Sequence, residues 1–550
     1  MKVINLKTAC VSTAILALVN VSCKKSDFAI NTNPNAVTAS TVNFTSVLPA
    51  ALASTATIQA TNFTVLQRWL GFWARSGSYQ SIGDEETYTF TNDFNSGGWF
   101  NLYYNATNYD FIITNAKAKN AGFYEAIARI MKAQNMQMLV DLYGNIPYTE
   151  AFQSGTIRTP KYDDDQAIYA DLFRQLDIAI ALLKDPVASS VANNAAIATN
   201  DLVFAGNALN WRRFANTLKL RMLIHTGNTT FPGGVETNTF VAGINQAAEM
   251  AIITAEGSGF LVAGVNAEIN PGYNDTKPNP YFRAYIRNES GALPGLGDQT
   301  KANAYAAGTT GNVGYYRFNG DPRINRFYGF PPDPAGGTTH RGITYGEVAG
   351  NTANIGPRLS TLEGVGLVPN GAASRAWILT AAESFFLQAE AARRGLITGN
   401  AAALLTTAVR ESFVFLGLTA AQADAYLLGN AGFPDVDFNG VSQGPGLPAG
   451  GIYTIISQKW FALNVIAPLE IYSDYRRTNF EYGVGGGFLI GPPISVNPTK
   501  PAAITKIPIR FFYPQNEYSF NPANVLAEGT IDVFTAGGPT GRNRIFWDNN

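Results

Sequence analysis

Few residues in this chain could do covalent chemistry. Among 550 residues there are two histidines, His225 and His340, and two cysteines, Cys10 and Cys23. A nucleophile triad or an imidazole-rich zinc site needs a histidine with a specific partner. His225 sits at the end of a helical pattern and His340 in a Gly/Thr loop, where a satisfied surface or helix-terminal histidine is the commoner reading. Asp84, Glu85 and Glu86 could be imagined as a glycosidase acid/base pair. Glycoside hydrolysis, however, needs two carboxyls facing one bond across about 5 to 10 Å, which neighbours in one loop rarely provide. Asp163, Asp164 and Asp165 invite calcium, yet consecutive acids do not follow the alternating spacing of a calcium loop, and acids at a helix start are favoured by its dipole. The run Gly483 to Gly487 lacks the Gly-Lys-Ser/Thr ending of a phosphate loop and reads as a turn.

Binding chemistry is better supplied. Tyr79, Tyr273, Tyr281, Tyr315, Tyr316 and Tyr328 fall in segments without helical period, and Trp73 closes a helical stretch, although its spacing from Trp69 also suits burial. Asn274, Asp275 and Arg283 lie among these rings and can pair with hydroxyls; each is also compatible with an ordinary loop role. Aromatic residues make up 12% of the chain and charged residues 14%, against about 25% charged in an average soluble protein. With a net charge of −1 there is no basic stripe for a phosphate backbone, so nucleic acid is not an expected partner. Abundant Asn, Gly, Thr, Tyr and Phe suit neutral polar ligands, because flat rings cover the apolar face of a sugar and amides pair with its hydroxyls.

The elements that must position these residues begin after a targeting segment. Lys2 and Lys7 precede an apolar run from Ala9 to Val21, too short to span a bilayer, and Ser22-Cys23 follows. The layout resembles a lipoprotein signal, with Asn20 where the usual pattern has Leu. The expectation is cleavage after residue 22, acylation of Cys23, and a lipidated tether over residues 23–40. Both cysteines lie in that segment, so the mature chain has no internal disulfide.

Periodicity predicts helices over residues 44–60, 63–73, 99–117, 124–143 and 161–184, and another capped by Asn210 with Trp211, Phe214, Leu218 and Met222 on one face. A further helix is expected over 240–253. Residues 257–373 carry Gly, Pro, Asn and Tyr without period, too long a stretch for a plain connector. Helices return at Thr380, which has capping-box spacing to Glu383, and over 401–415, 420–428, 452–465 and 469–477; Ile507 to Phe512 alternates enough for one short strand.

Several dispersed motifs stand in one order along the chain. They are Asn33-Pro34-Asn35, Tyr143-Gly144-Asn145-Ile146-Pro147-Tyr148, Trp211 to Arg221, Asp321-Pro322-Arg323, Glu383 to Glu390, Gln458-Lys459-Trp460-Phe461, Glu470 to Arg477, and Ile507 to Pro514. Together they resemble the signature of the SusD/RagB family of outer-membrane nutrient-binding lipoproteins, over essentially the whole mature chain.

That resemblance implies a mostly α protein with four tetratricopeptide-like helix pairs, a large irregular half and few short strands. The scaffold would occupy about 41–255 and 374–480, and the ligand side about 256–373, 429–450 and 481–550. It further implies a protein without catalysis, cofactor or metal, lipid-anchored in the outer membrane. Such a protein captures oligosaccharides, or in some cases peptides, for a SusC-like TonB-dependent transporter. The first residues after Cys23 are Lys24, Lys25 and Ser26, with Asp27 only fourth, unlike many surface-exported relatives, so the membrane face stays open. Physically, Trp211, Phe214, Leu218 and Met222 read as core, and Glu470, Asp474 and Arg477 as an ion pair across a turn. A helical scaffold that docks only proteins remains the reading from a different class.

Overall fold

The apolar periodicity becomes long helices that pack on their neighbours in sequence. The computed structural model describes residues 42–153, 155–478, 493–535 and 544–548; the targeting segment, Cys23, the tether to residue 40 and the run Gly483 to Gly487 lie outside them. Helix α1 (Phe44–Thr61) packs on α2 (Ser96–Ala118), α2 on α3 (Gly122–Tyr143), α3 on α4 (Asp165–Lys184), and α4 on α5 (Ala208–His225), flanked by α6 (Gln246–Glu256). After the loop-rich stretch, α7 (Ala381–Arg393) packs on α8 (Ala401–Phe415) and α8 on α9 (Ala420–Gly429). Helix α10 (Ile452–Leu463) lies against α7 and is followed by α11 (Pro468–Thr478), and contact of α5 with α7 joins the two blocks. The result is a mostly helical scaffold with a loop-rich remainder. Between residues 257 and 373 the described helices are single turns, and the described strands form four antiparallel pairs. No described helix is long and apolar enough to cross a membrane.

Helix starts follow capping chemistry. Asp164 accepts from the Ala167 amide at 3.0 Å, Asn207 from Asn210 at 3.0 Å and Asn400 from Ala403 at 3.1 Å. The acidic run at residues 163–165 therefore caps α4, and the cap of α5 is Asn207, three residues before the expected one, because Asn210 is the donor, not the acceptor. The Thr380 hydroxyl accepts from the Glu383 amide at 3.3 Å, but the Glu383 carboxylate turns inward to Arg221; the full capping box is at Thr419 and Gln422.

Three other expectations shift for local reasons. The helix expected through Trp73 ends at Trp69, since Gly71 adopts φ +81°, and Trp73–Arg75 becomes a strand. Phe240 belongs to a strand, Thr237–Phe240, paired with Gly227–Thr230, so α6 begins later, at Gln246. Residues 507–512 form no strand and bend at Ile509 and Arg510: the Ile509 amide donates to Val533 O and the Phe511 amide to Leu142 O, two different segments.

The centre of the scaffold is charged. Arg221 Nε lies 3.0 Å from Glu383 Oε1 and 3.2 Å from Glu470 Oε1. His225 sits between Glu470 (Nε2 to Oε2, 3.0 Å) and Asp141 (Nδ1 to Oδ2, 3.2 Å). Arg477 bridges Asp474 and Glu390, each at 2.6 Å, Lys459 reaches Asp474 at 2.8 Å and Arg394 reaches Glu390 at 2.8 Å. All ten side chains of this set, five of each sign, are almost fully shielded from solvent. Asp474 and Arg477 thus meet as the spacing predicts, whereas Glu470 reaches across to α5. His225 is a buried participant and not a surface residue, because two carboxylates hold it inside.

Burial by itself would depress the His225 pKa, but Glu470 and Asp141 overcome it and raise it to about 9. Burial likewise opposes ionisation of Glu390, and Arg477 with Arg394 outweighs it, holding that carboxyl at about 2. Removing one partner from a buried pair strands the other charge. Arg477→Met is therefore expected to destabilise the fold by about 3 to 5 kcal/mol in urea unfolding. His225 is raised above its unfolded value of 6.5, so its stabilisation is complete below that pH and is lost as pH climbs through about 9. Between those two pH values the wild-type urea midpoint should fall more steeply than that of His225→Gln.

Candidate functional site

Among the described residues, two cavities lie apart from the candidate rings. A cavity of about 430 Å³ lies among α2, α3 and α4, lined by Asp110, Arg129, Lys132, Tyr148, Asp163 and Asp171 among others. A second, of about 450 Å³, lies beside Asn145, Asp165, Glu528 and Arg544. None of the rings singled out by sequence lines either one. The charged groups of the first are already paired: Lys132 with Asp110 at 2.7 Å, Arg129 with Glu125 at 2.7 Å, and Asp163 with the Thr149 hydroxyl and amide. We place the candidate site instead on the loop-rich side, where polar side chains reach solvent.

Its framework is the antiparallel pair Trp73–Arg75 and Thr300–Ala302, in which Trp73 faces Ala302 and Arg75 faces Thr300. That register sets the loop after Arg75 beside the short helix Gly295–Gln299, and Ser76 N donates to Gln299 O at 2.7 Å. Arg75 anchors the loop from below: it binds Glu86 through Nε at 2.9 Å and Nη2 at 3.2 Å, donates to Glu347 O at 2.6 Å, and holds the Tyr79 carbonyl. Glu85 is paired in the same way with Arg68 at 2.6 Å. Of the three acids read as a conceivable hydrolase pair, Glu85 and Glu86 are thus buried ion-pair partners that fix the loop carrying Tyr79, and Asp84 lies in the first turn of the short helix Gly83–Thr87.

The half-exposed Tyr79 donates its hydroxyl to Asp298, and that bond to a carboxylate raises the phenol pKa. Lys301 caps the same short helix by donating to Gly297 O at 3.1 Å; burial lowers its pKa against the pull of Asp298 and Glu363. The one-turn segment Phe282–Ile286 packs on Gly295–Gln299 and carries Arg283, exposed and 2.5 Å from Glu289 Oε1. Arg287 meets Glu363 at 2.5 Å with both side chains well exposed. Tyr79, Asp298, Arg283, Glu289, Arg287 and Glu363 are therefore carried on mutually packed or paired segments. Asp298, Glu289, Arg287 and Glu363 have no sequence signal, because each is an isolated charge in an irregular stretch.

The other expected rings lie elsewhere. Tyr281 is buried, its hydroxyl on Leu362 O at 2.9 Å and its ring near Trp377. Tyr316 and Tyr328 are buried with hydroxyls on Phe461 O and Phe72 O, each at 2.8 Å, and Tyr315 packs 4.5 Å from Phe461. Trp73 is buried with its ring 5.0 Å from Tyr285. A ring closed in by neighbours offers no face to a sugar. These five consequently act as packing residues that tie the loop half to the helices, which the lack of helical period around four of them could not reveal. Tyr273 is half-buried, and burial raises its pKa to about 12. Asn274 folds its own turn by accepting from the Thr276 and Lys277 amides, leaving Asp275 exposed at the tip. His340 is buried, its two ring nitrogens engaged by Ser360 and Asn325.

A helical scaffold thus fixes an irregular, polar, partly aromatic face. The family model SusD-like, described as starch-binding and associating with the outer membrane, matches residues 34–514, and the chain belongs to that family. Solved structures similar to it include a SusD homolog from Bacteroides uniformis, at 24% identity and TM-score 0.66 over 92% of this chain and 99% of that one. A chitin-binding SusD homolog from Flavobacterium johnsoniae matches at 20% identity and TM-score 0.66, with the same coverage of 92% and 99%. A SusD-like protein from Bacteroides thetaiotaomicron matches at 22% and 0.65, again over 92% and 99%. At these identities the likeness establishes the fold. Among curated proteins none matches the chain.

Proposed function

We propose that this protein is a non-catalytic lipoprotein of the outer membrane. It captures oligosaccharides on its loop-rich side and passes them unchanged to a partner TonB-dependent transporter of the SusC type. The observation that carries the reading is the Tyr79 loop, a half-exposed ring beside Asp298, with the Arg283–Glu289 and Arg287–Glu363 pairs on the adjoining segments. A flat ring with hydrogen-bonding groups nearby suits a neutral polyol. The pairs neutralise one another, so the surface attracts no strongly charged ligand. Tyr273, Asn274 and Asp275, on another turn of the loop-rich half, are further candidate contacts. Family membership supports the association with glycan and with the outer membrane. The lipid anchor would be thioether-linked at Cys23, and several acyl chains together give durable attachment.

Two measurements check this. Calorimetric titration of the mature chain with soluble polysaccharides and with peptide digests should show glycan binding, weakened about tenfold by Tyr79→Ala; binding confined to peptides would replace the ligand class. Cells fed radiolabelled palmitate should label the wild-type protein and leave Cys23→Ala blank, and an unlabelled wild type would remove the anchor.

A further inference from the structure

One exposed ring in the loop-rich half rests face-on against a buried neighbour. Phe330 is 41% exposed, yet one of its faces lies flat on His340, with centroids 4.4 Å apart and planes at 23°. His340 is itself fixed: Nδ1 lies 3.1 Å from Ser360 Oγ and Nε2 lies 2.8 Å from Asn325 Oδ1. Behind the imidazole, the Tyr328 ring stands edge-on, and its hydroxyl is tied to Phe72 O. A column of rings therefore runs from the scaffold to the surface and ends in Phe330.

The backbone around the column is held as firmly. Gly329 N donates to Thr361 O at 3.0 Å, Asp333 N to Pro357 O at 2.8 Å, and Ser360 N to Arg341 O at 2.7 Å. Three segments, 328–333, 340–341 and 357–361, are thus laced together. They also carry polar groups suited to hydroxyls. Arg358 and Asp333 pair at 3.1 Å with both side chains about half exposed. Arg341 donates Nη2 to Asn354 Oδ1 at 2.8 Å, while its Nε is buried with no partner. Burial keeps the imidazole neutral by lowering its pKa to about 4, so the support does not change across physiological pH.

We propose that Phe330, seated on His340, is a stacking platform for one sugar ring of the captured oligosaccharide, with Arg341, Asp333 and Arg358 available to its hydroxyls. This rests on the glycan reading above and adds a specific contact to it. The physical argument is preorganisation. A ring already immobilised by a buried neighbour loses little freedom when a ligand covers its outer face, whereas an unsupported loop side chain must first be ordered. The apolar face of a pyranose matches such a ring in shape, and the Arg358–Asp333 pair beside it is internally neutral.

The test is calorimetry of the whole chain against a panel of soluble polysaccharides for the wild type, Phe330→Ala, Phe330→Leu and Phe330→Tyr, each checked for an unchanged urea midpoint. Phe330→Ala and Phe330→Leu should each weaken glycan binding by about tenfold, and Phe330→Tyr, which keeps the ring, should bind as the wild type does. The platform is overturned if the wild type binds glycan and both ring-less variants bind equally well. A wild type that binds no glycan overturns the underlying function instead, so the two failures are told apart by the first titration in the set.

Discussion

The structure depends on a closed set of charges inside its helical scaffold. Arg221 and His225 from α5, Glu383 and Glu390 from α7, Lys459 from α10, and Glu470, Asp474 and Arg477 from α11 meet where apolar side chains would ordinarily fill the space. Buried charges are tolerated only in pairs with good geometry. Each of these four helices can therefore dock in one register alone, since a shift by a single turn would strand a charge. A hydrophobic seam of the same size would tolerate sliding. With no cysteine after residue 23, no cross-link ties these helices, and the directional set of charges fixes how they dock.

The irregular half is attached by a second device, the phenol. Tyr281, Tyr316 and Tyr328 each bury a ring in the core and direct a hydroxyl to a backbone carbonyl on another segment. Loops cannot satisfy their carbonyls by a regular ladder, and a tyrosine supplies both apolar area and one donor at such a place. Arg75 serves the Tyr79 loop in the same manner, its one guanidinium binding the Glu86 carboxylate and the carbonyls of Ser76, Tyr79 and Glu347. The irregular loops are in this way fixed to the helical frame while their outer side chains stay exposed.

Much of this was legible beforehand, for identifiable reasons. Helices α3, α4, α7 and α8 carry strong period and clear caps, and their limits fall within a few residues of those expected. The motif residues Glu383, Glu390, Glu470, Asp474 and Arg477 were visible as a pattern, but that they converge could not be read, because the pairing spans separations such as Arg477 to Glu390 and Arg221 to Glu383. The site was less legible. Tyr315, Tyr316 and Tyr328 look like loop rings because no period surrounds them, and burial in an irregular segment leaves no periodic trace. Phe330 was passed over because a residue without a polar handle does not announce itself as a ligand contact. Asp298 becomes Tyr79's partner only through the register of two three-residue strands, which no local pattern encodes.

The central charges are roofed by a residue far along the chain. Asp141 accepts a hydrogen bond from Trp547 Nε1 at 3.1 Å, and the Arg476 guanidinium lies 4.6 Å from that indole and 4.1 Å from the Tyr472 ring. Trp547 is fully buried, so its indole keeps water from the carboxylate that His225 faces. Asp141 and Trp547 stand 406 positions apart, and the charged interior is thus sealed by a contact that only the assembled scaffold can make.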